Sequence, residues 1–182
     1  RYTRTQPCRK RLRFPQRPLR ARSPICICPS AGKSREDMQE YPHHYVVSAA
    51  GAADGEVTLA SDGLADLPSM PPEEFGGPGG YWSPETLLVS AVADCFILSF
   101  RAIARASRLE WTRLECSVDG ELDKVDRVTR FTGFAVRATL EVPAGTNLAK
   151  AERLLAKAEQ ACLVTNSLIA DTHLDATVEV SG

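Results

Sequence analysis

The chain has 182 residues, 43% of them hydrophobic and 25% charged, enough for one ordinary domain with a core of its own and in keeping with a soluble globular protein. The formal net charge of −1 hides an uneven distribution. Eleven of the 22 basic residues lie in the first 35 positions, which hold no acid, so the remainder carries 11 basic against 23 acidic side chains, a net of about −12.

Residues 1–37 contain Pro7, Pro15, Pro18, Pro24 and Pro29 and show no apolar periodicity, which predicts a disordered basic N-terminal extension. Three readings of it stay open. The Arg-rich, acid-poor composition fits an organellar transit peptide, although serine appears only at Ser23, Ser30 and Ser34 and the prolines oppose an amphipathic helix. It also fits non-specific attraction to anionic polymers, or sequence upstream of the true start, since Met38 directly precedes the first structured pattern. Nothing in it matches a specific nucleic-acid fold. Ala31-Gly32-Lys33-Ser34 is no phosphate loop, because Ile27 stands where that motif needs its first glycine. Cys8, Cys26 and Cys28 have no second pair of metal ligands at a suitable spacing. With no secretory signal and no membrane span read, the cytoplasm is the expected compartment.

Residues 45–50 and 56–60 are short strand-like runs around Asp54-Gly55, a hairpin signal, and a third short strand is expected at 64–67. Residues 68–80 hold eight Gly or Pro in thirteen positions and are expected to be loop, neither helix nor strand. This loop delivers the chain to Ser83, a good N-cap, followed by Pro84 at the first helical position and Glu85 at the positive end of the dipole. One long helix is predicted over 83–105, about 35 Å long. Leu88, Ala91, Val92, Cys95, Ser99, Ala102 and Ile103 follow one helical face, with Cys95 at its middle. Phe96, Ile97 and Phe100 extend the apolar surface almost all round, so the helix is expected to be buried on most sides. Ser90, Asp94 and Ser99 interrupt it too much for a membrane span.

Leu114, Cys116 and Val118 then alternate with polar residues, as do Phe134, Val136, Ala138, Leu140 and Val142, with a turn expected over 123–127. Cys116 therefore reads as a core residue. Leu148, Ala151, Leu154, Leu155 and Ala158 return to helical spacing, and Cys162 extends that face. Leu174, Ala176, Val178 and Val180 make a last alternating strand, with His173 facing outward. The order predicts an α+β fold: an antiparallel sheet covered on one face by helices, with a long buried central helix. One sheet face cannot surround a helix apolar on nearly every side, so a homodimer covering it is expected.

The runs Gly76-Gly77-x-Gly79-Gly80-x-x-Ser83-Pro84-Glu85-x-Leu87-Leu88, Ala91-x-Ala93-Asp94-Cys95-Phe96 and Ala161-Cys162-x-x-x-Asn166-Ser167-Leu168 resemble the OsmC/Ohr family, osmotically inducible protein C and organic hydroperoxide resistance proteins. The resemblance covers about residues 43–181 and favours the general OsmC-like branch. It implies an OsmC-like domain over residues 38–182, an intertwined homodimer, and a two-cysteine peroxidase site near the interface that needs no metal or cofactor. By resemblance Cys95 is the peroxidatic cysteine, Cys162 the resolving cysteine, and Glu85 the glutamate that helps organise the site. In such a cycle a thiolate cleaves the peroxide O–O bond and becomes a sulfenic acid, a second thiol captures it as a disulfide, and an external dithiol, such as a lipoyl group, restores both. The substrate implied is an organic hydroperoxide.

Glu85 and Cys95 lie ten residues apart on one helix, about 15 Å along its axis and on different faces, so they cannot touch within it. The glutamate is expected to act through a bridging group or from a partner subunit. The family's better-studied branch also places an arginine between the first two strands, where this chain reads Ala52-Ala53-Asp54-Gly55, and no Lys or Arg occurs between Arg35 and Arg101. A thiol in apolar surroundings beside Asp94 is expected to have a raised pKa, so a recruited cation is expected, with Arg101, Arg105 and Arg137 as candidates. Two other readings compete. One is a non-catalytic dimer binding a lipophilic or thiol-bearing small molecule at its interface pocket, and the other has both cysteines serving only as small packed hydrophobes. His43, His44 and His173 form no metal ligand set.

Overall fold

The computed structural model describes residues 39–181, so the basic extension expected over 1–37 lies outside the described residues. Residues 39–44 belong to a separate unit in which the Tyr41 and His43 rings stack with centroids 4.6 Å apart. The fold is carried by residues 45–181.

Strands β1 (Ser48–Ala50), β2 (Val57–Ala60) and β3 (Leu67–Ser69) form a small antiparallel sheet in that order. The β1–β2 hairpin turns where Asp54-Gly55 suggests, with Gly55 at φ 95°. The third strand falls later than expected, because Leu64 N–H closes a turn onto Ser61 C=O and Gly63 takes a positive φ. The Gly/Pro segment is also more ordered than its composition predicts. Pro68 pairs opposite Thr58 at the sheet edge, where a missing N–H is tolerated, and Glu73–Phe75 makes one 3₁₀ turn closed by Gly76 in the left-handed region.

Helix α1 (Pro84–Ala106) starts at a reciprocal cap: Thr86 N–H donates to Ser83 Oγ and Ser83 N–H donates to Thr86 Oγ1, at 3.2 and 2.8 Å. Its buried stripe is Val92, Phe96, Phe100 and Ala104. Cys95 sits on the flank of that stripe rather than at its centre, Ala102 is exposed, and Leu98 is 49% exposed. Burial within the chain is thus one-sided, and the described residues alone do not bury the helix on most sides. An 18-residue window of α1 has mean hydropathy 1.9, enough for a membrane span by composition despite Ser90, Asp94 and Ser99. Packing of the inner stripe on the sheet accounts for part of that apolarity.

The main sheet has the order β4 (Arg113–Val125), β5 (Val128–Val142), β6 (Asp171–Val180). The β4–β5 hairpin is longer than the alternation suggests. Asp126 and Arg127 alone form its tip, at φ 51° and 68°, the left-handed pair that a two-residue hairpin turn requires. Strand β6 pairs parallel to β5, Val136 opposite Leu174, so the sheet is mixed and the expected antiparallel arrangement holds only for β4–β5. The reason is the connection. After β5 the chain passes through α2 (Leu148–Gln160) before returning, and such a crossover allows a parallel strand, whereas alternation of side chains carries no direction. Asn147 caps α2, and Lys150 Nζ donates to Ser107 C=O at 2.8 Å, tying the start of α2 to the end of α1.

The core lies between the sheet and the two helices, with Phe96, Phe100, Leu140, Val142, Ala151, Leu155 and Ala158 almost fully buried. Trp111 meets Phe100 edge-on at 5.4 Å. Phe100→Ala is expected to cost about 3–5 kcal/mol, read as a drop in the urea midpoint at unchanged slope. An unshifted midpoint would contradict the placement of this ring at the core.

Candidate active site

Cys95 and Cys162 are brought together by the way α2 ends. The helix stops at Gln160, and Cys162 therefore lies in the turn beyond it, not on the helical face the spacing suggests. There Cys162 N–H bonds Glu159 C=O, Asn166 N–H bonds Cys162 C=O, and Thr165–Ser167 closes one 3₁₀ turn. Three side chains return to carbonyls just before them: Thr165 Oγ1 donates to Cys162 C=O at 3.1 Å, Asn166 Nδ2 to Gln160 C=O at 3.1 Å, and Ser167 Oγ to Leu163 C=O at 2.8 Å. The bond to Gln160 satisfies a carbonyl that the helix end leaves free, and the other two brace the turn beyond it. The result is a tight turn that buries Cys162 to 1% exposure.

The same turn brings Leu163, Val164 and Cys162 to the neighbourhood of the Cys95 sulfur, where they weigh on its ionisation. Ser99 Oγ, one turn further along α1, is 4.0 Å from Cys95 Sγ. Burial pushes the Cys95 thiol up, but the hydrogen bonds from Val164, Cys162, Ser99 and Leu163 outweigh it, and its pKa falls below the ordinary thiol value. The expectation of a raised pKa is thus corrected: hydrogen bonding, with the Val164 backbone first, brings the thiol down despite burial. Arg101, Arg105 and Arg137 are exposed, and among the described residues the one ion pair joins Arg113 to Glu115.

Cys162 is shifted the other way. Burial raises it, Thr165 partly offsets this, and the neighbouring Cys95 adds to the rise. Cys116, half-buried on β4 against the core, is pushed up to about 11 by burial and by the charge of Cys162. Of the three, Cys95 is the half-buried thiol whose pKa is lowered, while those of Cys116 and Cys162 are raised.

Glu85 is not at this site. It occupies the first turn of α1, with Oε2 buried and without a hydrogen-bond partner among the described residues. It lines a cavity of about 410 Å³ together with Phe75, Val89, Ala93, Leu122 and Phe131. Ala93 and Cys95 differ by about 200° around the helix, so cavity and cysteine lie on opposite flanks of α1. At the floor, a Cβ on Gly120 would stand 2.8 Å from Val89 Cγ2 and 3.0 Å from the Phe131 ring, so glycine is what lets α1 approach β4 there. Among the described residues no three His, Cys, Asp or Glu side chains are placed to hold a metal.

The family model described as OsmC-like protein matches residues 77–177. An organic hydroperoxide resistance protein of Xanthomonas axonopodis pv. citri is 31% identical over 121 residues, covering 66% of this chain and 82% of that protein. Peroxiredoxin OsmC of Escherichia coli is 29% identical, covering 66% of this chain and 83% of its own. Among solved structures, an organic hydroperoxide resistance protein OsmC from Legionella pneumophila superposes with TM-score 0.62 at 27% identity, over 78% of this chain and all of that one.

Labelling of the reduced protein by iodoacetamide as a function of pH is expected to reach half-maximal rate at Cys95 below the ordinary thiol range, and at Cys116 only near pH 11. Val164 has φ −67°, which proline can adopt, so Val164→Pro deletes one donor and is expected to move the Cys95 midpoint upward, while Val164→Ala keeps the N–H and leaves it in place. An unmoved midpoint in Val164→Pro would contradict backbone activation.

Proposed function

Because the chain belongs to the OsmC-like protein family, we propose that it is a thiol-dependent peroxidase that reduces organic hydroperoxides through Cys95 and Cys162. The observation that carries this reading is the pairing of a half-buried cysteine on α1, Cys95, with a buried one in the turn after α2, Cys162, 1% exposed, each weighing on the ionisation of the other. The Cys95 thiolate attacks one peroxide oxygen, the O–O bond breaks, and the products are a sulfenic acid and an alcohol. Cys162 then attacks the sulfenic sulfur and a disulfide forms with loss of water. An external dithiol, such as a lipoyl group, exchanges with the disulfide and returns both thiols.

In this reading the exposed side of α1, which includes Leu98 and Ala102, is covered by a second copy in an intertwined homodimer. Glu85 serves the site of the partner rather than its own, since the two lie about 15 Å apart along one helix. The cytoplasm suits the reaction, where reduced dithiols are available. A second reading is favoured by the cavity beside Glu85, whose apolar walls suit a lipophilic or thiol-bearing small molecule bound without turnover.

Consumption of cumene hydroperoxide by the full, reduced chain with dihydrolipoamide as electron donor separates the two. Turnover is expected in the unaltered protein, abolished in Cys95→Ser and halted after one equivalent in Cys162→Ser. No turnover in the unaltered protein would remove the peroxidase reading and leave the binding one.

A further inference from the structure

Helix α1 carries three side-chain hydroxyls, Thr86, Ser90 and Ser99, and their partners differ. Thr86 Oγ1 donates to Ser83 C=O at 3.1 Å and Ser90 Oγ to Leu87 C=O at 2.8 Å, the back-bonds that hydroxyl side chains ordinarily make in a helix. Ser99 makes no such bond among the described residues; the partner of its Oγ is Cys95 Sγ, 4.0 Å away and one turn earlier. Helix side chains lean toward the N-terminus, so Ser99 leans over the sulfur. Both residues are half-buried. At 4.0 Å the contact is at the outer reach of a bond to sulfur, and rotation about one bond on each side lets it close when the sulfur is charged. A thiolate only accepts, so the hydroxyl must then donate. In a disulfide the same sulfur is uncharged and a weak acceptor, and Ser99 is free to turn to a helix carbonyl as Ser90 does. The titratable groups that bear on this part of α1 are Cys162 in the turn after α2 and, on β4, Cys116, which itself feels Cys162; Asp94 on α1 is exposed.

We propose that Ser99 is a positioning residue for the couple of Cys95 and Cys162: its hydroxyl donates to the Cys95 sulfur in the reduced state alone, and so biases the couple toward the dithiol. The proposal rests on the two-cysteine reading. Reduction by an external dithiol passes two electrons to the S–S bond, which breaks, while the external dithiol closes to its own disulfide. Of the two protons it gives up, Cys162 keeps one as a thiol and solvent takes the other, leaving Cys95 as the thiolate. A donor that binds this thiolate stabilises the product of the step and leaves the disulfide unchanged, so the disulfide becomes the easier to reduce. The hydroxyl is one of the groups that bring Cys95 below the ordinary thiol value, which agrees with that direction. Ser99 thereby favours the form of Cys95 that meets a peroxide.

The test sets the full chain in equilibrium with dihydrolipoamide and lipoamide at pH 9, quenches with acid, and reads the state of Cys95 by alkylation and mass spectrometry. The pH dependence of Cys95 labelling by iodoacetamide is measured alongside. Ser99→Val and Ser99→Thr have the same branched shape and differ in the hydroxyl. Ser99→Val is expected to raise the ratio of disulfide to dithiol about threefold at a given lipoamide ratio and to move labelling to higher pH, while Ser99→Thr stays near the unaltered protein on both. Ser99→Ala, which removes the hydroxyl without adding bulk, is expected to follow Ser99→Val. Water at the half-buried sulfur, and Glu85 of the partner subunit if it reaches the site, are common to the variants and drop out of the comparison. A purely structural serine would shift the urea midpoint and separate neither readout. Equal readings in Ser99→Val and Ser99→Thr would overturn the proposal and leave the two-cysteine reading standing. Absence of a disulfide between Cys95 and Cys162 in the unaltered protein under excess lipoamide would overturn both.

Discussion

The meeting of Cys95 on α1 with the turn after α2 is the contact on which the rest of the site depends. A thiol set among apolar neighbours resists ionisation, and this chain has no Lys or Arg from position 36 to 100 to counter that. Hydrogen bonding from the Val164 amide, the Cys162 thiol, the Ser99 hydroxyl and the Leu163 amide brings the Cys95 pKa down instead. Backbone dipoles need no desolvated ammonium or guanidinium, and they are held by the turn rather than by a flexible side chain. Their effect depends on position, so the geometry of the turn after α2 becomes the constraint the fold has to meet.

Several features of the architecture serve that requirement. The crossover from β5 to parallel β6 carries α2 across the sheet face beside α1, and its length decides where α2 ends. Lys150 ties the beginning of α2 to the end of α1, and Leu154, Leu155 and Ala158 anchor its underside in the core. The stripe Val92, Phe96, Phe100, Ala104 fixes the rotation of α1, which turns Cys95 toward the flank where the turn arrives. Thr165, Asn166 and Ser167 hold the turn itself. Together these links bring the turn that holds Cys162 to the flank of α1 that holds Cys95.

The long helix was legible because its signals agree: cap, proline at the first position and apolar spacing all point to the same start. The β4–β5 hairpin and α2 were legible for the same reason of periodicity. Strand direction was not, since alternation is identical for parallel and antiparallel neighbours, and so β6 was misplaced in the sheet. The cysteine pair was reached through family resemblance rather than through spacing, which put Cys162 on a helix it does not occupy. The activation of Cys95 was missed altogether, because backbone amides carry no residue identity. A signal did exist: Thr165, Asn166 and Ser167 directly after an amphipathic helix are turn-forming residues that reach back to free carbonyls. The unpaired oxygen of Glu85 could not be foreseen either, since its burial depends on the Gly/Pro segment and the glycine at 120.

The central claim is that Cys95 and Cys162 form one redox couple. Its most direct measurement is non-reducing peptide mapping of the reduced full chain after one equivalent of cumene hydroperoxide. The expected result is a single new cross-linked species joining the Cys95 and Cys162 peptides, reversed by dithiol, with Cys116 still free. Recovery of Cys95 as a thiol, or its pairing with any cysteine other than Cys162, would contradict the claim.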